Sequence, residues 1–101
     1  MKKVIGNKLY DTEKAERIGS DSFSVVGDFH YWFQELYRTR SARFFFYGGG
    51  GPMTDYAVNC GSGTTSGSER IWMVTREEAR EWLAKVDVEK AEEVFGPFEE
   101  G

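Results

Sequence analysis

Between Tyr31 and Gly51 the chain reads YWFQELYRTRSARFFFYGGGG, which concentrates eight of the protein's 16 aromatic residues in one segment and closes it with four consecutive glycines. A period of two sets Trp32, Gln34, Leu36 and Arg38 on one face of a strand and Tyr31, Phe33, Glu35, Tyr37 and Thr39 on the other. The return strand, Arg43 to Tyr47, sets Phe44 and Phe46 against Phe45 and Tyr47, with Arg40-Ser41-Ala42 as the turn. Neither face is polar throughout. One aromatic row therefore belongs in a core and the other at a partly covered or contact surface. Gly48 to Pro52 is expected to end the strand, because glycine loses the most backbone entropy on ordering and proline lacks a ladder donor.

The flanking segments read as short elements around this hairpin. Lys3 to Tyr10 predicts a tight hairpin turning at Gly6-Asn7, where glycine supplies positive φ. Thr12 is placed to cap a short helix ending at Gly19, with Glu13 and Glu16 near its positive end and Ala15 and Ile18 on its apolar side. Ser20 to Asp28 reads as a loop with an extended piece at Phe23 to Val26. Thr54 to Val58 is expected to form one helical turn with Met53 and Tyr56 facing inward, and Gly61 to Ser68 a loop.

Arg70 to Val74 is a further strand. It leads into Thr75-Arg76-Glu77-Glu78, a T-x-x-E capping box. Ala79, Trp82, Leu83 and Val86 then recur as one helical stripe, and Asp87 caps a last helix through Phe95, buried along Val88, Ala91, Val94 and Phe95 and stopped by Gly96-Pro97. Long crossover helices between strands are missing. The expected architecture over residues 1–101 is one α+β domain, a small antiparallel sheet of two hairpins plus a further strand, with helices packed on one side and two of them C-terminal.

Charge is unevenly placed. Met1 to Thr75 holds eight acidic and nine basic residues, whereas Arg76 to Gly101 holds nine acidic and four basic, a net of −5 in the last quarter of a chain whose total is −4. That surface repels phosphate and attracts basic protein patches, or serves simply as a solvated face. The single cysteine excludes an internal disulfide and, with one histidine, a protein-only Cys/His zinc site, so a cytoplasmic setting is the simple expectation. The first residues have no apolar run of signal-peptide length, and no stretch is long and apolar enough to span a membrane.

The search for chemistry yields little that is specific. Gly48 to Gly51 lacks the Lys-Ser/Thr and the helix that a phosphate-binding loop requires. Cys60 with His30, oriented by Asp28 or Asn59, would be a thiolate–imidazole pair, although a lone cysteine is more often a small core residue. Asp28, Glu35 and Asp55 form no recognisable acid/base pair. Arg38, Arg40 and Arg43 among Tyr37, Phe44, Phe45, Phe46 and Tyr47 combine cations with stacking rings as single-strand binders do, but the RNP1 glycine is missing and the pI near 5.0 disfavours nucleic acid as the direct ligand. No catalytic residue, metal or cofactor is expected.

Four motifs together resemble a known group. K-V-I-x-x-K-L-Y-D-T at Lys3 to Thr12, E-L-Y-R at Glu35 to Arg38, F-F-x-Y-G-x-G-G-P at Phe44 to Pro52 and T-x-E-E-A-R-E-W at Thr75 to Trp82 are similar to small accessory proteins encoded by phages and integrative mobile elements of Gram-positive bacteria. The resemblance spans nearly the whole chain and carries no catalytic signature. It departs at two loops, with Gly-Asn where relatives have Asn-Gly and four unbroken glycines where a charge often intervenes. It implies a non-enzymatic protein of the anti-CRISPR type that binds and inhibits a host defence complex such as a Cas effector in the host cytoplasm, with a nucleic-acid-binding regulator of the mobile element as the alternative. Two partner surfaces follow. One is the hairpin with Arg38, Arg40, Arg43, Phe45 and Tyr47; the other is the acidic helical face with Glu77, Glu81, Glu89, Glu92 and Glu93, and either is compatible with a homodimer.

Overall fold

The computed structural model describes residues 1–25, 27–51, 54, 56, 58, 59 and 65–101. Strands β1 (Lys2–Ile5) and β2 (Lys8–Asp11) form the first hairpin, and its turn has positive φ at both Gly6 (57°) and Asn7 (64°), the primed geometry that matches strand twist. The main sheet is antiparallel with order β3-β4-β5-β8, built from β3 (Glu16–Phe23), β4 (Trp32–Arg38), β5 (Phe44–Gly50) and β8 (Ser68–Val74). A two-residue ladder joins β6 (Val58–Asn59) to β7 (Thr65–Ser66), and helices α1 (Arg76–Val86) and α2 (Val88–Phe95) complete the chain. This is the α+β arrangement expected from the sequence.

Both faces of the aromatic hairpin are covered, at one end of the sheet. On one face Ile18, Leu36, Phe44 and Phe46 are buried under Ala79 and Leu83 of α1 and Ala91 of α2. On the other, Tyr37, Phe45 and Ile71 are buried under Tyr10 of the N-terminal hairpin. Phe45 is 0% exposed, stacks on Tyr37 at 5.2 Å and meets the edge of Tyr10 at 5.6 Å. Burying such a ring stabilises by about 1.5–3 kcal/mol.

Several local expectations fail for tertiary reasons, among them the loop read from Ser20, whose residues up to Phe23 belong to β3. The helix expected from Thr12 to Gly19 is instead a single turn followed by β3. Asp11 accepts from the Glu13 amide at 2.9 Å, and its carbonyl accepts from Lys14 and Ala15, which ends the turn. The next residues pair with the free edge of β4, and this places Ile18 in the core. Gly19 stops no helix: it lies beneath α1, where a Cβ would stand 2.6 Å from Leu83 Cδ1, at a register shift between Arg17 and Gly19.

The glycine run does not end its strand either. Gly48, Gly49 and Gly50 pair with Gln34, Phe33 and Trp32 on one side and with Arg70, Glu69 and Ser68 on the other, so ladder bonds from two strands hold a segment of low intrinsic β-propensity. The last strand accordingly starts at Ser68, inside the segment read as a loop.

The helical turn expected from Thr54 to Val58 is not formed as read: Thr54 closes a turn through its amide on the Gly51 carbonyl at 3.3 Å and Val58 belongs to β6, although Tyr56 does face inward at 4% exposure. Met53, Cys60 and Val26 lie outside the described residues. The helix caps hold as read, but Val88, expected on the buried side of α2, is 54% exposed because it stands at the first position of the helix, before the turn that meets the sheet. Thr75 Oγ1 accepts from the Glu78 amide at 3.1 Å, Glu78 Oε1 accepts from the Thr75 amide at 3.2 Å, and Asp87 caps α2 through the Lys90 amide at 3.1 Å. No helix among the described residues is long and apolar enough to cross a membrane.

Candidate functional site: an aromatic cup beside the helices

The helices cover the end of the sheet at Phe44 and Phe46, and Trp82 marks their limit. Beyond it, strand register brings Phe23 opposite Trp32, Trp32 opposite Gly50, Gln34 opposite Gly48, Gly48 opposite Arg70, and Phe46 opposite Trp72. Opposed residues in an antiparallel ladder share a face, so Phe23, Trp32, Gln34, Arg70 and Trp72 all project to the helix side. With His30, Thr54 and Tyr56 they line an open cavity of about 590 Å³.

Glycine makes the floor of this cup. A Cβ at Gly48 would lie 2.5 Å from the Tyr56 hydroxyl, and one at Gly50 would lie 2.5 Å from Thr54 Oγ1 and 3.0 Å from Tyr56 Cδ2. The Tyr56 ring therefore rests directly on backbone. Its segment is pinned by Thr54 Oγ1, which donates to the Gly51 carbonyl at 2.8 Å and accepts from the Tyr56 amide at 3.2 Å, and by a bond from Ser68 Oγ to the Tyr56 carbonyl. Gln34 locks the inner wall: its Nε2 donates to Tyr56 Oη at 2.9 Å and its Oε1 accepts from Trp82 Nε1 at 3.3 Å.

The walls carry rings and one fixed cation. Phe23 and Trp32 stack with centroids 6.5 Å apart and planes 13° from parallel, and Tyr56 lies 6.1 Å from Trp72. The Arg70 guanidinium carbon sits 4.8 Å from the Tyr56 centroid and 5.6 Å from that of Trp72, a cation–π position over both rings. His30 stands at the rim with Nδ1 3.4 Å from Asp28, whose carboxyl is held below its ordinary range, first by the His30 backbone amide and then by the Ser24 hydroxyl. None of the described residues lining the cup is acidic. Among the described residues, no three His, Cys, Asp or Glu side chains come together as a metal-binding group.

The residues expected on the hairpin surface are dispersed. Phe45 is in the core and is withdrawn from any contact surface, because the N-terminal hairpin covers it. Tyr47 is half-buried and donates to Glu69 at 2.7 Å; burial first, and then that carboxylate, push its hydroxyl pKa up to about 12. Tyr37 bonds Glu35 in the same way at 2.9 Å and is likewise raised to about 12. Arg38 projects to the opposite face from Tyr47 and pairs with Glu16 at 2.6 Å, while Arg40 and Arg43 are exposed beside the turn. The cations and stacking rings thus share no platform. By contrast, Glu77, Glu81, Glu89, Glu92 and Glu93 are all exposed on α1 and α2, with Glu93 3.6 Å from Lys90.

His30 stands at the rim of the cup and Cys60 lies outside the described residues, so the pair read from the sequence has no described geometry. The cup's own residues had a faint signal. Trp32 with Gln34, and Arg70 with Trp72, sit at period-two positions of their strands, but only strand order places them together. No protein-family model matches this chain, and no curated protein or solved structure is significantly similar to it.

Proposed function

We propose that this chain is a non-enzymatic accessory protein of a mobile genetic element that binds and inhibits a host defence complex, using its acidic helical face against a basic nucleic-acid channel such as that of a Cas effector. The observation that carries the reading is the exposure of Glu77, Glu81, Glu89, Glu92 and Glu93 on two adjoining helices that cover one face of the sheet. Glu77 and Glu81 are four residues apart, so their Cβ atoms stand about 5–6 Å apart along one helix side. Carboxylates displayed on a rigid support compete with phosphates for arginine and lysine, and electrostatic complementarity of this kind accelerates encounter and selects the partner. The motif resemblance supports the same reading.

The test is capture from host lysate on tagged protein, followed by assay of the captured complex. Recovery of a nucleic-acid-binding defence complex, its release by added nucleic acid or salt, and loss of capture when the five glutamates become glutamine are expected. A clean capture experiment with undiminished defence activity would defeat the proposal.

A further inference from the structure

We propose that the basic end of this protein docks on the acidic helical face of a second copy, so that chains associate head to tail. The inference uses the acidic face but not the identity of any host target, and it is tested on the purified chain alone. Its failure and that of the function proposed above are therefore distinguishable. Two oppositely charged surfaces carry it.

The basic surface is built by the N-terminal hairpin and the turn between β4 and β5, which together line one open cavity of about 610 Å³. Residues 1–15 and 39–43 hold six basic and two acidic side chains, a net of +4. Lys2, Lys8, Lys14, Arg40 and Arg43 are exposed, and none of them pairs with a described carboxylate. Of the two acids, Asp11 is buried with its carboxylate on the Glu13 amide, which leaves Glu13 as the exposed one. Two aliphatic side chains stand among these cations. Val4 and Leu9 are ladder partners, so they sit side by side on the hairpin face turned away from Tyr10, at 66% and 50% exposure.

The acidic surface is the counterpart. Glu77, Glu81, Glu89 and Glu92 pair with no described cation, and two helical arginines are drawn onto rings, Arg76 over Phe95 at 5.0 Å and Arg80 over Phe98 at 3.8 Å. Val88 is the exposed aliphatic residue beside the carboxylates of α2. Each surface thus offers charge of one sign around an apolar group, the pattern of an interface with an apolar centre and a polar rim. They cannot meet within one chain, because the hairpin packs on the Tyr37 and Phe45 side of the sheet and the helices on the Leu36 and Phe46 side. A second copy presents the carboxylates and the aliphatic contact together. Copies of net charge −4 repel at long range, but that repulsion is screened beyond about 8–10 Å at physiological salt, whereas the opposed surfaces act at contact. Such an interface does not close on itself, so rows lengthen with concentration.

Sedimentation velocity of the purified full chain tests this. At about 50 mM NaCl the average mass should rise with concentration, with a Kd below about 1 mM, and the association should weaken at least about tenfold at about 500 mM NaCl. A variant combining Lys2→Gln, Lys8→Gln, Lys14→Gln and Arg40→Gln, and one with the five helical glutamates changed to glutamine, should each be monomeric alone. Their equimolar mixture should give a one-to-one dimer and nothing larger, since each supplies one intact surface. Val4→Ser with Leu9→Ser alters no charge and should weaken the association by about tenfold. All the substituted positions are exposed, and circular dichroism checks the fold; should a variant unfold, the salt dependence of the native chain decides. A native chain that stays monomeric to about 1 mM, association insensitive to salt, a dimer that persists in either neutralised variant, or a mixture no heavier than its components would overturn the proposal. So would binding of phosphatidylserine vesicles or of an oligothymidylate octamer by the basic end without self-association.

Discussion

The hydroxyl of Tyr56 lies 2.5 Å from the point where a Cβ on Gly48 would stand, and the same hydroxyl accepts a bond from Gln34. A hydroxyl held in this way cannot yield freely. In an unconstrained strand, replacing glycine by alanine would gain about 0.4–1 kcal/mol from the unfolded state. At Gly48 the overpacking outweighs that gain, because the Phe33 carbonyl also lies 3.0 Å from the added carbon and belongs to the backbone. Gly48→Ala is expected to lower stability by about 1–3 kcal/mol, read as a lower urea midpoint at unchanged slope. A higher midpoint would contradict the close seat of Tyr56 on the glycine strand.

Gly19 makes the corresponding contact beneath the helix. A Cβ there would lie 2.6 Å from Leu83 Cδ1 and 3.0 Å from Trp82 Cζ3, and Leu83 is 0% exposed, so its methyl has nowhere to retreat. Gly19→Ala should cost about 1–3 kcal/mol in the same assay. A variant as stable as the native protein would contradict the close seat of Leu83 on Gly19.

What could be read in advance were features whose cause lies within a few residues. The Thr75–Glu78 capping box, the Asp87 cap and the Gly6-Asn7 turn each satisfy their geometry locally, and each is found as read. Ile18 and Gly48 were misread because their conformation is set by partners distant in sequence: the β4 edge for Ile18, and the ladders of Trp32–Gln34 and Ser68–Arg70 for the glycines. Phe45 was placed at the surface because one aromatic face was expected to be open. Nothing near Phe45 in sequence announces that Tyr10 will cover it. The cup was illegible for the same reason, since its walls come from three strands and a connecting segment.

Phe45 gives that point an energetic test. Truncating a wholly buried phenylalanine removes its transfer free energy and leaves a cavity between Tyr10 and Tyr37, so Phe45→Ala should destabilise by about 3–5 kcal/mol. Arg40→Ala and Arg43→Ala, at exposed positions beside the turn, should stay within about 0.5 kcal/mol. Denaturant melts of the three variants make the comparison. A near-neutral Phe45→Ala would mean that the N-terminal hairpin does not close over the sheet in solution.

Thr75 joins the last strand to the helix that forms the cup's boundary, and its side chain and that of Glu78 each satisfy an amide of the other. Thr75→Ala removes one of these bonds and should cost about 1 kcal/mol. Trp82 sits two turns into α1 with its indole on Gln34, so loosening of the helix start should also appear as a change in tryptophan emission before global unfolding. An unchanged urea midpoint would show that packing of Ala79 and Leu83 alone fixes the helix start.

Alkaline pH tests the two tyrosine–carboxylate bonds on the hairpin face. Tyr37 and Tyr47 both rise from an ordinary value of 10.0 to about 12, each chiefly through burial and then through the carboxylate it donates to. The folded state therefore holds these protons more tightly than the unfolded chain. Their contribution is fully present below pH 10.0 and is lost as pH rises towards about 12, with stability falling because the native state binds more protons in that window. After allowance for solvent screening at the partly exposed Tyr47, the loss is on the order of 1 kcal/mol per tyrosine. Urea midpoints at about pH 9 and about pH 11 should show this fall in the native protein and a smaller one in Tyr37→Phe and Tyr47→Phe. The phenylalanine variants should begin from lower stability near neutral pH, because each leaves a carboxylate without its donor. Equal alkaline slopes in all three proteins would place the tyrosine hydroxyls in contact with solvent rather than with Glu35 and Glu69.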